Sequence, residues 1–135
     1  MEKGFKNKQG YKKLIVWQNV YKLRRIIYKI TARFPKSEMR RIGHMRDSTR
    51  SGKQNIQEGY KRSSVGEYIR FLNIAQSSLG ELIGDVEDCY DDDLITQEEL
   101  EMLDSLIGRT DYLFKRLIQS LRKKQAEGTW IKYPR

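Results

Sequence analysis

Seven residues between Tyr68 and Cys89 constrain the fold more than any other feature of the chain. Tyr68, Leu72, Ala75, Leu79, Leu82, Val86 and Cys89 recur at steps of 4, 3, 4, 3, 4 and 3. On a helix of 3.6 residues per turn these steps keep all seven on one stripe, whereas a strand, with its period of two, would scatter them over both faces. A stripe of this length needs matching apolar stripes from other helices to cover it.

Three further segments supply them. Val16, Val20, Leu23, Ile27, Ile30 and Phe34 form a seam that Trp17, Tyr21 and Tyr28 widen, which predicts a helix over 11–34 ended by Pro35. A second helix is expected from Ser37, as its N-cap, to Gly59 or Tyr60, with Gly59 as its C-cap. Its stripe (Met39, Ile42, Met45, Thr49, Gly52, Ile56) is thin, and Ser48, Ser51 and Gly52 predict close approach of a neighbour. The third helix is expected to open with a capping box of Ser64 and Glu67 and to end near Tyr90, before Asp91-Asp92-Asp93. The fourth opens with Thr96-Gln97-Glu98-Glu99, a second capping box. Its seam is Leu100, Leu103, Ile107, Thr110, Phe114, Leu117 and Leu121, and Lys123 and Lys124 suit its C-terminal pole.

Short connections between helices of similar length predict an all-α, antiparallel up-down-up-down four-helix bundle. The expected organisation is a flexible basic arm over 1–10, the bundle over 11–124, and a tail over 125–135. The tail's Trp130 and Tyr133 are expected to fold back on the bundle or dock on a partner. Ile26, Ile69, Ile74, Ile83 and Leu106, outside the main seams, hint at surface buried between subunits.

Charge is divided along the chain. Residues 1–70 carry 19 Lys/Arg against 5 Asp/Glu, and residues 71–135 carry 8 against 13. Polyanions are the natural partners of so basic a half. The strongest concentration lies on and just after the second helix: Arg40, Arg41, Arg46, Arg50, Lys53, Lys61 and Arg62, with Arg70 extending it. Arg46, Arg50 and Lys53 are spaced by 4 and 3 and share one stripe. Lys3, Lys6, Lys8, Lys12 and Lys13 read as a basic arm. Binding through such residues is expected to be dominated by phosphates and to weaken with salt.

Catalytic chemistry has little to work with. His44 is the only histidine and is expected at the surface or facing RNA rather than as a ligand, and Cys89 is the only cysteine and sits on a core seam. Metal sites want clustered ligands, and the acids at Asp85, Glu87, Asp88, Asp91, Asp92 and Asp93 lack the spacing and glycine of a calcium loop. No catalytic residue, metal or cofactor is expected. There is no run of 18 apolar residues and no apolar stretch after the basic N-terminus, so neither a membrane span nor a secretory signal is expected. A single cysteine excludes an internal disulfide, and the cytoplasm is the expected compartment.

Several phrases carry a resemblance: Leu14-Ile15-Val16-Trp17-Gln18, Phe34-Pro35, Ser51-Gly52-Lys53-Gln54-Asn55-Ile56-Gln57-Glu58-Gly59, Glu67-Tyr68-Ile69-Arg70-Phe71-Leu72-Asn73-Ile74-Ala75 and Ser77-Ser78-Leu79-Gly80-Glu81-Leu82. Over about residues 11–122 the chain resembles the four-helix-bundle family of proteins encoded in 23S ribosomal RNA intervening sequences. That family is related to the accessory variability determinant of diversity-generating retroelements. The resemblance implies a four-helix bundle, assembly as a homo-oligomer (a pentameric ring in that branch), a basic surface, binding of template RNA and a non-catalytic partnership with a reverse transcriptase. Many members have Ser-x-Pro-x-Asn-Ile-Ala-Glu-Gly where this chain has Ser51 to Gly59, so Lys53 stands in place of a proline. Asn55, Glu58 and Gly59 match that motif and are expected to serve structure, as a polar bond between helices and a helix end. Two functions therefore compete: a nucleic-acid-binding accessory protein, with RNA favoured over DNA, and a protein-interaction adaptor that binds no nucleic acid.

Overall fold

The structure, a computed structural model, describes residues 10–131. Four helices make up the fold: α1 (Ile15–Thr31), α2 (Met39–Lys61), α3 (Val65–Asp91) and α4 (Gln97–Glu127). No strand occurs among the described residues. Each helix packs on two neighbours, α1 on α2 and α4, α2 on α3, and α3 on α4, while the diagonal pairs do not meet. Side chains fix the antiparallel alignment: Arg46 near the start of α2 reaches Thr31 at the end of α1, Met45 near the start of α2 meets Cys89 near the end of α3, and Gln76 in the middle of α3 bonds Asp111 in the middle of α4. The chain is an antiparallel four-helix bundle.

The expected seams form most of the core, but Met39 of the expected α2 stripe is 68% exposed, Ile42, Leu100 and Leu117 are half-buried, and Ile118 is buried in α4 instead. All seven residues of the α3 stripe are buried, as are Val16, Val20, Leu23, Ile27, Ile30 and Phe34 of the first segment. Met45, Ile56, Leu103, Ile107, Phe114 and Leu121 complete the interior, and Cys89 lies fully buried with its thiol directed at Met45 Sδ, 3.6 Å away. Burial pushes the Cys89 thiol pKa up, which keeps it protonated and unreactive. Thr31, Thr49, Ser78 and Thr110 are buried hydroxyls, and each donates to a carbonyl three or four residues back.

The helix ends follow local chemistry, with some departures from expectation. Thr96 and Glu99 form a complete capping box. At Ser64 only half of one forms: the hydroxyl accepts from the Glu67 N–H, but the Glu67 carboxylate turns to Arg70. Ser37 is not the cap of α2, because residues Lys36–Glu38 tighten into a 3₁₀ turn and the helix begins after them. The first helix is likewise shorter than 11–34. A 3₁₀ turn over Gly10–Lys13 precedes it, and Gln18 Nε2 donates to the Lys12 carbonyl across the join. Lys12 and Lys13 are therefore held against the bundle, while Lys3, Lys6 and Lys8 of the expected arm lie outside the described residues.

Helix α3 ends on Asp93 at φ 62°, where the Leu94 N–H bonds the Cys89 carbonyl and the Asp93 N–H bonds that of Tyr90. This is a Schellman closure with aspartate in the position usually held by glycine. Gly128, at φ 68°, closes α4 in the same way, four residues beyond the expected bundle boundary at 124. After it Trp130 folds back, half-buried, onto the core; Tyr133 lies outside the described residues.

Gly59 is not a helix end. Helix α2 runs on to Lys61, and a Cβ at Gly59 would stand 2.8 Å from Phe71 Cβ and 3.2 Å from the Tyr68 carbonyl oxygen. The glycine gives α3 the room to pack closely against α2. Of the residues outside the seams, Ile69 and Leu106 are buried within the single chain, Ile26 and Ile83 pack half-buried on its core, and Ile74 is exposed. For Ile69 and Leu106 burial therefore needs no second subunit.

Candidate nucleic-acid interface

The eight cations picked out on and after α2 do not form one site. Arg41 is held by Glu38 at 3.0 Å and by Asp92 at 2.9 Å, so it ties the start of α2 to the acidic turn after α3. Arg50 pairs with Asp47, Arg62 with Glu58 and Arg70 with Glu67, each one helical turn away. Arg62 and Arg70 also lie over the Phe71 ring at 4.8 and 4.6 Å. A carboxylate beside each of these guanidiniums offsets much of the positive field they would present to a polyanion. Arg40 and Lys61 are exposed.

Arg46 and Lys53 are different. Both face α1 across the α1–α2 groove and have no carboxylate within 4.0 Å among the described residues. Arg46 donates Nε to the Thr31 hydroxyl at 3.0 Å and Nη2 toward the Tyr28 carbonyl at 3.4 Å, and its guanidinium lies 4.4 Å from the Tyr28 ring centre. From α1, the Arg24 guanidinium lies 4.6 Å from the same ring. Two cations thus pack against one aromatic ring, an arrangement in which ring and stems hold the charges in place. The Arg24 Nε is buried and has no hydrogen-bond partner.

Lys53 Nζ donates to Gln57 Oε1 at 3.1 Å, and the same oxygen accepts from Trp17 Nε1 at 3.0 Å. This network and the Arg46–Thr31 bond, not Asn55, are the polar links between α1 and α2; Asn55 donates within its own helix to Ser51, whose hydroxyl meets that of Ser78 at 3.2 Å. Glu58 of the same motif is exposed on its ion pair with Arg62. Burial holds the Lys53 ammonium pKa below its ordinary value of 10.5, and the nearby positive charges of Arg24 and Lys12 push it the same way. Lys12, Arg24 and Lys53 therefore converge without neutralisation.

Arg24 is not among the cations that the sequence pattern singles out, and Lys12 falls among those expected in the basic arm. One signal was available: α1 carries Lys22, Arg24, Arg25 and Lys29 and has no acidic residue. What put Arg24 opposite Arg46 was the packing of α1 on α2.

His44 lies on the other side of α2. Its Nδ1 is 2.5 Å from Asp85 of α3, and that hydrogen bond, reinforced by the charges of Asp85, Glu81 and Asp47, raises its pKa above 6.5. It belongs to an exposed ion pair and not to the basic groove. No group of three or more His, Cys, Asp or Glu side chains among the described residues is placed to hold a metal ion. No described helix is long and apolar enough to cross a membrane.

Fold and site together define a small antiparallel helical bundle whose α1–α2 face gathers cations without carboxylates. The chain belongs to the 23S rRNA-intervening sequence protein family, whose model matches residues 12–116. Its fold is similar to the crystal structure of a protein with unknown function from the S23 ribosomal protein family of Bacteroides thetaiotaomicron, with a TM-score of 0.71 and 22% identity. That match covers 77% of this chain and 98% of the other. No curated protein sequence matches the chain.

Proposed function

We propose that the chain is a non-catalytic accessory protein that binds the phosphate backbone of nucleic acid, structured RNA foremost, through the α1–α2 face. The observation that carries this reading is the convergence of Lys12, Arg24, Arg46 and Lys53 on one face with no carboxylate among the described residues to neutralise them. Assembling like charges costs stability, and a polyanion is the ligand that repays it. Work beside a reverse transcriptase, as a homo-oligomer, is the finer form of the proposal. Its support is the resemblance of Ser51–Gly59 and Glu67–Ala75 to the intervening-sequence family, to which the retroelement accessory determinant is related.

The test is a titration with fluorescent structured RNA, single-stranded RNA and duplex DNA at two salt concentrations. Arg24→Ala/Arg46→Ala/Lys53→Ala should lose most of the salt-sensitive binding. Arg50→Ala/Arg62→Ala/Arg70→Ala, which removes the same charge from ion-paired positions, should lose little. Equal losses would sink the assignment to the α1–α2 face. No binding at low salt would sink the nucleic-acid reading and favour an adaptor that binds only protein.

A further inference from the structure

We propose that Arg24, Arg46 and Lys53 form a discrete seat for a single phosphate group, rather than contributing only to a diffuse positive field. The inference rests on the reading of the α1–α2 face as the polyanion surface, and it adds that one phosphate is taken at one defined place.

Three features separate a seat from a field. First, the cations are oriented before any ligand arrives. Tyr28 has the Arg24 and Arg46 guanidiniums 4.6 and 4.4 Å from its ring centre, and Arg46 is fixed further by its bonds to Thr31 and the Tyr28 carbonyl. Pre-orientation of this kind reduces the entropy lost on binding. Second, donors are left over. Neither Nη of Arg24 has a hydrogen-bond acceptor among the described side chains, and Arg46 has Nη1 to spare, so a forked approach to phosphate oxygens is available. Third, Lys53 is half-buried and anchored through Gln57 to Trp17, so its ammonium cannot swing freely into solvent as a surface lysine does. The lowered Lys53 pKa agrees with a site waiting for negative charge, since burial and the Arg24 and Lys12 charges all disfavour the ammonium while the seat is empty.

A phosphate on this seat could be an internal phosphodiester, the terminal phosphate of a nucleic acid or free phosphate. The chemistry is shared, and the experiment separates the sources. The 135-residue chain is titrated with inorganic phosphate against chloride at equal ionic strength, reading thermal stability and the ³¹P line. It is then titrated with a short single-stranded RNA carrying or lacking a 5′-phosphate.

Saturable phosphate binding is expected in the parent and in Arg50→Gln, and weakened about tenfold or more in Arg24→Gln. The general stabilisation that phosphate exerts by exclusion from surfaces is the same in all variants, so only the difference between them counts. Lys53→Met guards against a folding artefact: it should be more stable than the parent without phosphate, because a repelled, half-buried charge is gone, yet gain less from added phosphate. Tighter binding of the 5′-phosphorylated RNA assigns the seat to a chain end, and equal binding of the two RNAs assigns it to an internal phosphodiester. Phosphate responses that are identical in parent, Arg24→Gln and Lys53→Met would overturn the seat. If RNA still bound in that case with salt dependence, the basic face would stand as a diffuse surface.

Discussion

Replacing Gly59 with alanine should destabilise the bundle, although alanine is the better helix former. Gly59 sits inside α2, so the substitution by itself favours the helix by about 1 kcal/mol. The new methyl would meet Phe71 Cβ at 2.8 Å, Tyr68 Cδ1 at 3.1 Å and the Tyr68 carbonyl oxygen at 3.2 Å, against an optimal carbon–carbon separation of about 3.5–4.0 Å. Two of these neighbours are fixed to the α3 backbone and cannot rotate away, so the helices must part. The upper part of the usual overpacking range applies, about 2–3 kcal/mol, and the net loss should be about 1–2 kcal/mol.

Gly108→Ala is the control with the opposite sign. Gly108 lies inside α4 on the open α3–α4 groove, and its Cβ would meet nothing within 4 Å. It should gain about 0.5–1 kcal/mol. Urea unfolding followed by circular dichroism at constant slope measures both, and the melting temperature should move by about 3–5 °C per kcal/mol. A Gly59→Ala protein as stable as the parent would refute the close α2–α3 contact. A destabilised Gly108→Ala protein would refute an open α3–α4 groove.

Two further outcomes are expected. His44 should titrate with a midpoint above 6.5, read from its ring proton resonances, and Asp85→Asn should bring the midpoint back toward 6.5. Because the folded-state pKa is the raised one, the stability that this pair adds is fully present below about pH 6.5 and fades as pH rises through the folded-state value. The parent and Asp85→Asn should therefore differ most at mildly acidic pH, below the His44 midpoint but above the ordinary carboxylate range, and converge in alkali; a gap that widened as pH rose past neutrality would refute the pairing. Asp93→Gly should raise stability by about 0.5–1 kcal/mol, since Asp93 holds a left-handed conformation that glycine adopts without strain. A loss in urea unfolding would show that the Asp93 side chain does more for the α3 terminus than the backbone geometry indicates.

Much of the basic surface was legible, but its division was not. Arg62 with Glu58, Arg70 with Glu67 and Arg50 with Asp47 stand at the three- or four-residue spacings that bring helical side chains together. Their neutralisation could have been read from spacing. The pairing of Arg41 with Asp92 could not, because 51 positions and a complete helical hairpin separate the two residues. The same holds for Arg24 and Arg46 on Tyr28.

Period alone determined the helices, their buried stripes and the bundle, because apolar residues every three or four positions have one way to leave water together. The capping box at Thr96 and Glu99 was equally local: four consecutive residues contain all its donors and acceptors. Tertiary structure decided what the glycines are for. Gly59 and Gly108 look alike in sequence, yet one clears the path of α3 and the other faces open space. It also decided which positive charges stay unpaired, because that depends on what the neighbouring helix presents across the groove. Helix α1 presents no acid there: Arg24, the ring of Tyr28 and the neutral polar groups of Thr31 and Trp17 face α2 instead.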